Sequence, residues 1–155
     1  MIPHGRRNYL LNLKKDLDKT IKLYGDRERT GQVITNLISN AIKYSPHSSD
    51  IIVSTAKAKG YITLCVQDFG VGIPADKQNK VFEQFFRVSG DKQHTFPGLG
   101  LGLYISSEIV KRQGGKIWVE STEGKGSKFC FKLPLKKKHK KNKSNEIDEE
   151  VIKHE

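Results

Sequence analysis

The sequence predicts an α/β (α+β) two-layer sandwich: a mixed, largely antiparallel sheet with helices on one face. Three observations point there. The runs Ile51 to Ala56 and Tyr61 to Val66 are strand-like and are joined by a turn around Gly60. In the second, Ile62, Leu64 and Val66 alternate with Tyr61, Thr63 and Cys65, the pattern of a sheet covered on one side. Between Arg27 and Tyr44, by contrast, Val33, Ile34, Leu37, Ile38, Ala41 and Ile42 recur at helical spacing and define a buried stripe. Strands that follow one another through short links fit helices stacked on one sheet face, rather than a doubly wound parallel fold.

The elements follow in order. Residues 1–7 read as a linker remnant. Tyr9, Leu10 and Leu11 form a first short strand that Leu13 continues. Asp26 is placed to cap the helix over Arg27 to Tyr44, and Ser45-Pro46 stops it. After the two strands, a short helix is expected over Ala75 to Phe86. A glycine-rich, polar loop from Ser89 to Gly98 then leads into a helix from Gly102 to Gln113, ended by Gly114-Gly115. Ile117 to Ser121 and Lys128 to Leu133 close the domain as a hairpin around Glu123 to Gly126. The folded domain is therefore expected over residues 8–135.

The formal net charge of +11 permits an anionic partner. Much of it is concentrated in the run Lys136 to Lys143, which the acidic stretch Glu146 to Glu150 answers. An aromatic-free, charge-segregated tail cannot bury enough surface to fold, so residues 136–155 are expected to be disordered and solvated, and no nucleic-acid partner is expected. Cys65 and Cys130 lie in apolar stretches without a CxxC spacing, and buried free thiols in a reducing cytoplasm are the expectation. Neither a signal peptide nor a membrane-spanning run is visible, which points to a cytoplasmic location with a membrane-anchored parent left open.

Three stretches carry the chemistry. At about 100° per residue, Asn36, Asn40, Lys43 and Tyr44 fall within one sector of the first helix, beside the apolar stripe. Asparagine is a poor interior helix former, so the pair needs a reason beyond propensity. The neutral carbonyl oxygen of Asn40 suits a hard cation such as Mg²⁺ that keeps phosphate and water ligands. Asp68 ends an apolar strand just before Gly70 and Gly72, where its carboxylate could accept a hydrogen bond from an exocyclic amino group. In GLGLGL (Gly98 to Leu103), a loop enters a helix, and its free N–H groups favour phosphate. The string lacks the GK[ST] ending of a P-loop and follows no strand, which excludes a Walker site.

Four blocks in fixed order carry a family resemblance: NLISNAIKYS (Asn36 to Ser45), QDFGVGIP (Gln67 to Pro74), VFEQFFRV (Val81 to Val88) and GLGLGLYIS (Gly98 to Ser106). They resemble the N box, first glycine box, F box and second glycine box of sensor histidine kinases, and the likeness covers roughly residues 8–135. It implies the Bergerat-type ATP-binding fold shared with gyrase, mismatch-repair and chaperone ATPases. ATP and Mg²⁺ are the implied cofactors. On this resemblance Asn40 is the Mg²⁺ ligand, Asn36 and Lys43 assist the phosphates, Tyr44 packs beside adenine and Asp68 reads it. Gly70, Gly72, Ile73, Gly98, Leu99, Gly100, Leu101, Gly102 and Ser127 would line the nucleotide. Lys92 and His94 fall in a lid-like segment. Arg87 would stabilise the transferring phosphoryl group. The resemblance also implies that Phe82, Phe85 and Phe86 lie where a helical domain docks, although core packing is the simpler reading of any one of them.

The hydrolytic ATPases of this superfamily carry a glutamate one turn before the metal-binding asparagine. Here that position is Asn36, and an amide is no general base near neutral pH. The resemblance therefore implies phosphoryl transfer to a histidine on a separate dimerisation domain, and onward to a response regulator. None of the five histidines, His4, His47, His94, His139 and His154, stands in the expected His-Glu-Leu-Arg-Thr-Pro setting. The chain alone is expected to be a monomer that binds MgATP without phosphorylating itself. The alternatives are a hydrolytic ATPase of the same superfamily, or a nucleotide-binding module without catalysis.

Overall fold

The computed structural model describes residues 10–15, 23, 25–45, 50–88 and 100–135. Five strands form one sheet: β1 (Leu10–Lys15), β2 (Asp50–Ala58), β3 (Tyr61–Asp68), β4 (Lys116–Thr122) and β5 (Gly126–Pro134). Their order is β1-β2-β3-β5-β4; β1 runs parallel to β2, and the other neighbours are antiparallel. Two α-helices accompany it, α1 (Arg27–Lys43) and α2 (Gly102–Arg112), with a short 3-10 helix over Ala75–Lys80. No α-helix among the described residues is long and apolar enough to cross a membrane.

Helix α1 starts as its sequence dictates. The Asp26 carboxylate accepts the Arg29 N–H at 3.0 Å, satisfying one of the donors that a first turn leaves open. Tyr44 lies just past the helix, and its N–H still donates to the Asn40 carbonyl. Val33, Leu37 and Ala41 are buried on the face turned to the sheet. Burying a side chain of Val or Leu size contributes about 1.5–3 kcal/mol, so this stripe rather than helix propensity holds α1 in place.

The strand register sorts the sheet into two faces. Val53, Val66, Phe129 and Val119 form one row across β2, β3, β5 and β4, and belong to the core that α1 and α2 cover. Ser54, Cys65, Cys130 and Trp118 form the next row, which period-two alternation puts on the opposite face. The sequence expectation of two free thiols is corrected here: Cys65 and Cys130 are joined by a disulfide. The reason is register. Each cysteine was legible as a strand residue, but only the β3–β5 pairing sets them directly opposite one another.

The helix expected over Ala75 to Phe86 is also corrected. Only Ala75–Lys80 is helical, as a 3-10 turn, and the chain then continues through turns. The Phe85 N–H donates to the Gly100 carbonyl at 3.1 Å instead of to a helical carbonyl, and Phe85 has φ of +60°. A tertiary hydrogen bond has displaced the local one. Phe82 meets Phe129 edge to face at 6.2 Å, and Phe82 and Phe86 both pack on the core. Phe85 does not; it is 65% exposed.

Candidate functional site

Three junctions bring the singled-out residues to one end of the molecule. At the first, the end of α1 meets the loop after β3. The Val71 N–H donates to the Tyr44 carbonyl at 3.1 Å, and Gly70 lies so close to that carbonyl that any side chain would collide with backbone. Lys43 sits over the Tyr44 ring at 5.2 Å, a cation–π distance.

At the second junction that loop meets the β4–β5 hairpin. Gly72 adopts φ of +68° against the Thr122 carbonyl, a conformation and a clearance that together require glycine. The Gly124 N–H donates back to the Val71 carbonyl at 2.7 Å. Asp68 is only 4% exposed. Its Oδ1 accepts the Gly70 N–H at 2.9 Å and the Ser127 N–H at 3.3 Å. Burial raises the Asp68 pKa, against the opposing pull of those two hydrogen bonds. A carboxylate this deeply placed, with its second oxygen uncommitted among the described residues, is built to meet a donor.

The third junction is between α1 and the start of α2. The Asn36 side chain donates to Ser106 Oγ at 3.1 Å, and a Cβ at Gly102 would strike the Asn36 amide. Helix α2 begins with no side-chain cap and no acidic residue in its first turn. Its leading N–H groups, and the positive end of its dipole, are thus left for an anion. Gly100 packs on the backbone of Phe85 and Phe86 and beside the Arg87 side chain. Arg87 is near enough to act on both Lys43 and Tyr44. Burial, and secondarily the Arg87 charge, lowers the Lys43 pKa. Burial raises that of the Tyr44 phenol, and Arg87 opposes the rise.

Asn40 is half-buried on the same edge of α1, between Asn36 and Lys43. No group of three or more His, Cys, Asp or Glu side chains able to hold a metal exists among the described residues. A divalent ion here would therefore take one amide oxygen and complete its shell with phosphate and water, which is how Mg²⁺ binds. Gly98, Leu99, Lys92, His94 and all five histidines lie outside the described residues, as do residues 1–9 and the tail 136–155. Leu101 is at the N-cap of α2, and Ile73 is buried where the β3 loop reaches β4.

One participant escaped the sequence reading. Ser121, on β4, accepts the Ile73 N–H through its Oγ at 2.8 Å and lies 2.8 Å from Ser127 Oγ. Gln78 braces the same spot, donating to the carbonyls of Ile73 and Ser121 at 3.0 and 2.9 Å. The signal was a serine at the inward position that Val119 and Ile117 occupy one and two steps earlier.

Known proteins resemble this chain in sequence and in fold. The sequence model of the histidine kinase-, DNA gyrase B- and HSP90-like ATPase family matches residues 25–137. The sensor histidine kinase WalK of Bacillus subtilis strain 168 is 39% identical over 121 residues, covering 77% of this chain and 20% of WalK. The adaptive-response sensory kinase SasA of Gloeothece citriformis is 40% identical over 129 residues, covering 81% of this chain and 32% of SasA. The chain thus spans 20% and 32% of the length of these curated relatives. Among solved structures, the nucleotide-free catalytic domain of histidine kinase ThkA superposes with a TM-score of 0.70 at 30% identity, covering 83% of this chain and 81% of that one. The mycobacterial sensor histidine kinase MprB gives a TM-score of 0.65 at 29% identity, covering 80% and 81%.

Proposed function

Because the chain belongs to the histidine kinase-, DNA gyrase B- and HSP90-like ATPase family, with the sensor histidine kinases as its matched relatives, we propose that it is the MgATP-binding catalytic domain of one. It transfers the γ-phosphoryl group of ATP to a histidine carried on a dimerisation domain of the parent kinase, from which a response regulator takes it. The observation that carries this reading is the convergence at one end of the fold. There, the buried Asp68 carboxylate, the Asn36-to-Tyr44 edge of α1 and the uncapped start of α2 meet.

Each part has a task. Asp68 accepts from the exocyclic amino group of adenine, and Tyr44 covers the base. Lys43 and the first N–H groups of α2, around Gly100 and Gly102, hold phosphate oxygens. Asn40 would lend its amide oxygen to Mg²⁺, which would supply positive charge beside the phosphates. Arg87 stabilises negative charge on the group in transfer.

Asn36 favours transfer over hydrolysis. Its amide is engaged with Ser106, and an amide cannot deprotonate water near neutral pH. Exposed Phe85, on the backbone that packs against Gly100, supports docking of the histidine-bearing helices beside the phosphates. Calorimetric titration with a non-hydrolysable ATP analogue, with and without Mg²⁺, tests the site. Saturable one-to-one binding strengthened by Mg²⁺ is expected. Steady phosphate release by the isolated chain would instead favour a hydrolytic ATPase.

A further inference from the structure

The inner face of the sheet changes character at one end. Behind the apolar row Val53, Val66, Phe129 and Val119 comes a row in which Asp68, Ser127 and Ser121 sit side by side. Ser127 is 7% exposed, and its hydroxyl lies 2.8 Å from Ser121 Oγ. How the protons are distributed along this row decides what the row offers to a ligand.

The hydroxyl count settles that distribution. A serine hydroxyl has one proton to give and two lone pairs to receive. Ser121 Oγ donates to the Gly126 carbonyl at 2.9 Å and accepts the Ile73 N–H at 2.8 Å. Its contact with Ser127 Oγ, at 2.8 Å, can run in either direction by geometry. Only with Ser127 as the donor are all three Ser121 contacts satisfied at once, and that is the arrangement assigned. Ser127 Oγ then has no proton left, and what remains to it is acceptor capacity. Asp68 is in the same condition: Oδ1 is filled by the N–H groups of Gly70 and Ser127, and the other oxygen can only accept while ionised.

We propose that Ser121 is a positioning residue for base selection: by taking the Ser127 proton it keeps the Asp68–Ser127 edge acceptor-only, so that the site admits a 6-amino purine and rejects a 6-oxo purine. The inference rests on the nucleotide reading above. An amino group brings two N–H donors to such an edge. A carbonyl oxygen brings lone pairs against lone pairs, and each buried clash of that kind is left unsatisfied. Ser121 touches no part of the base itself and acts through Ser127.

The test is the ratio of affinities for ADP and inosine diphosphate, measured by calorimetry on the chain, with melting temperature as the control for folding. Ser121→Ala frees the Ser127 proton to rotate toward the ligand, and the preference for ADP is expected to shrink about tenfold, chiefly through tighter inosine diphosphate binding. Ser121→Thr keeps the hydroxyl and is expected to restore the parental ratio. A purely structural role for Ser121 would weaken both nucleotides together and leave the ratio alone, which would overturn the proposal. Should Ser121→Ala fail to fold, Ser127→Ala decides the matter. It should weaken ADP about tenfold with little effect on inosine diphosphate, and an equal or larger loss of inosine diphosphate would overturn the inference. A parent chain that binds neither nucleotide would overturn the functional reading as well; one that binds ADP while the ratio stays fixed overturns this inference alone.

Discussion

The two halves of the proposed nucleotide site differ in how they are held. On the base side, protein groups satisfy one another: Asp68, Gly70, Ile73, Gln78, Ser121, Gly126 and Ser127 are linked by a continuous set of hydrogen bonds. On the phosphate side two separate hydrogen bonds, Asn36 to Ser106 and Phe85 to Gly100, accompany the tight packing at Gly100 and Gly102, and burial, with the Arg87 charge second, lowers the Lys43 pKa. The base side is therefore set before any ligand arrives. The phosphate side carries the cations Lys43 and Arg87, whose sign suits a polyanion. Selectivity belongs to the rigid half, and the charge of the ligand is answered by the other.

Substitutions can break this contrast, and they are ordered here by their expected effect on binding. Asp68→Ala should be the most severe, because it removes a buried charged acceptor and strands the Gly70 and Ser127 N–H groups. A loss of about 2–4 kcal/mol, some 30- to 1,000-fold in affinity for an ATP analogue, is expected by calorimetry.

Asp68→Asn sharpens the point. Burial raises the folded-state pKa of Asp68, so the folded protein holds that proton more tightly than the unfolded chain. Between the ordinary carboxylate range and the raised value, this group makes stability fall as pH rises, and the cost persists at neutral pH. The Asn variant keeps an acceptor for both N–H groups without the charge. It should melt at or above the parent at neutral pH while binding adenine nucleotides more weakly. For the parent, affinity should decline on acidification at a pH above the ordinary carboxylate range, as the acceptor gains a proton.

Next comes Asn40→Ala, expected to cost about tenfold in the presence of Mg²⁺ and little in its absence, as titrations in the two conditions would reveal. Lys43→Met should weaken the triphosphate about three- to tenfold, leave adenosine unchanged, and flatten the dependence on salt. Smallest of all is Cys65→Ser. The disulfide lies on the sheet face away from the core and the site, so nucleotide affinity should stay within about twofold, although denaturant unfolding should register a loss of about 2–4 kcal/mol.

Much of this fold was legible because its signals are local. The Asp26 cap, the Val33-Leu37-Ala41 stripe and the period-two alternation of β3 each depend on residues within a few positions of one another. What escaped depends on partners distant in sequence. Phe85 looks helical until Gly100 claims its N–H. The two cysteines look like separate apolar residues until β3 and β5 pair in register. The same division runs through the site. The asparagines, glycines and Asp68 announce themselves by being unusual for their elements, whereas Ser121 is an ordinary strand residue whose importance arises from four neighbours contributed by other segments.

The bond between Cys65 and Cys130 spans 65 residues of chain. That interval contains the loop after Asp68, the segment around Phe85 and the whole of α2. A single backbone cut between Asp68 and Gly126 leaves both fragments covalently attached, with α1 and Asp68 on one and β5 on the other. Such a nicked molecule would run as one species on a non-reducing gel and as two after reduction. Protease mapping of this domain thus needs both gels, and the difference between them is a direct readout of the cross-link.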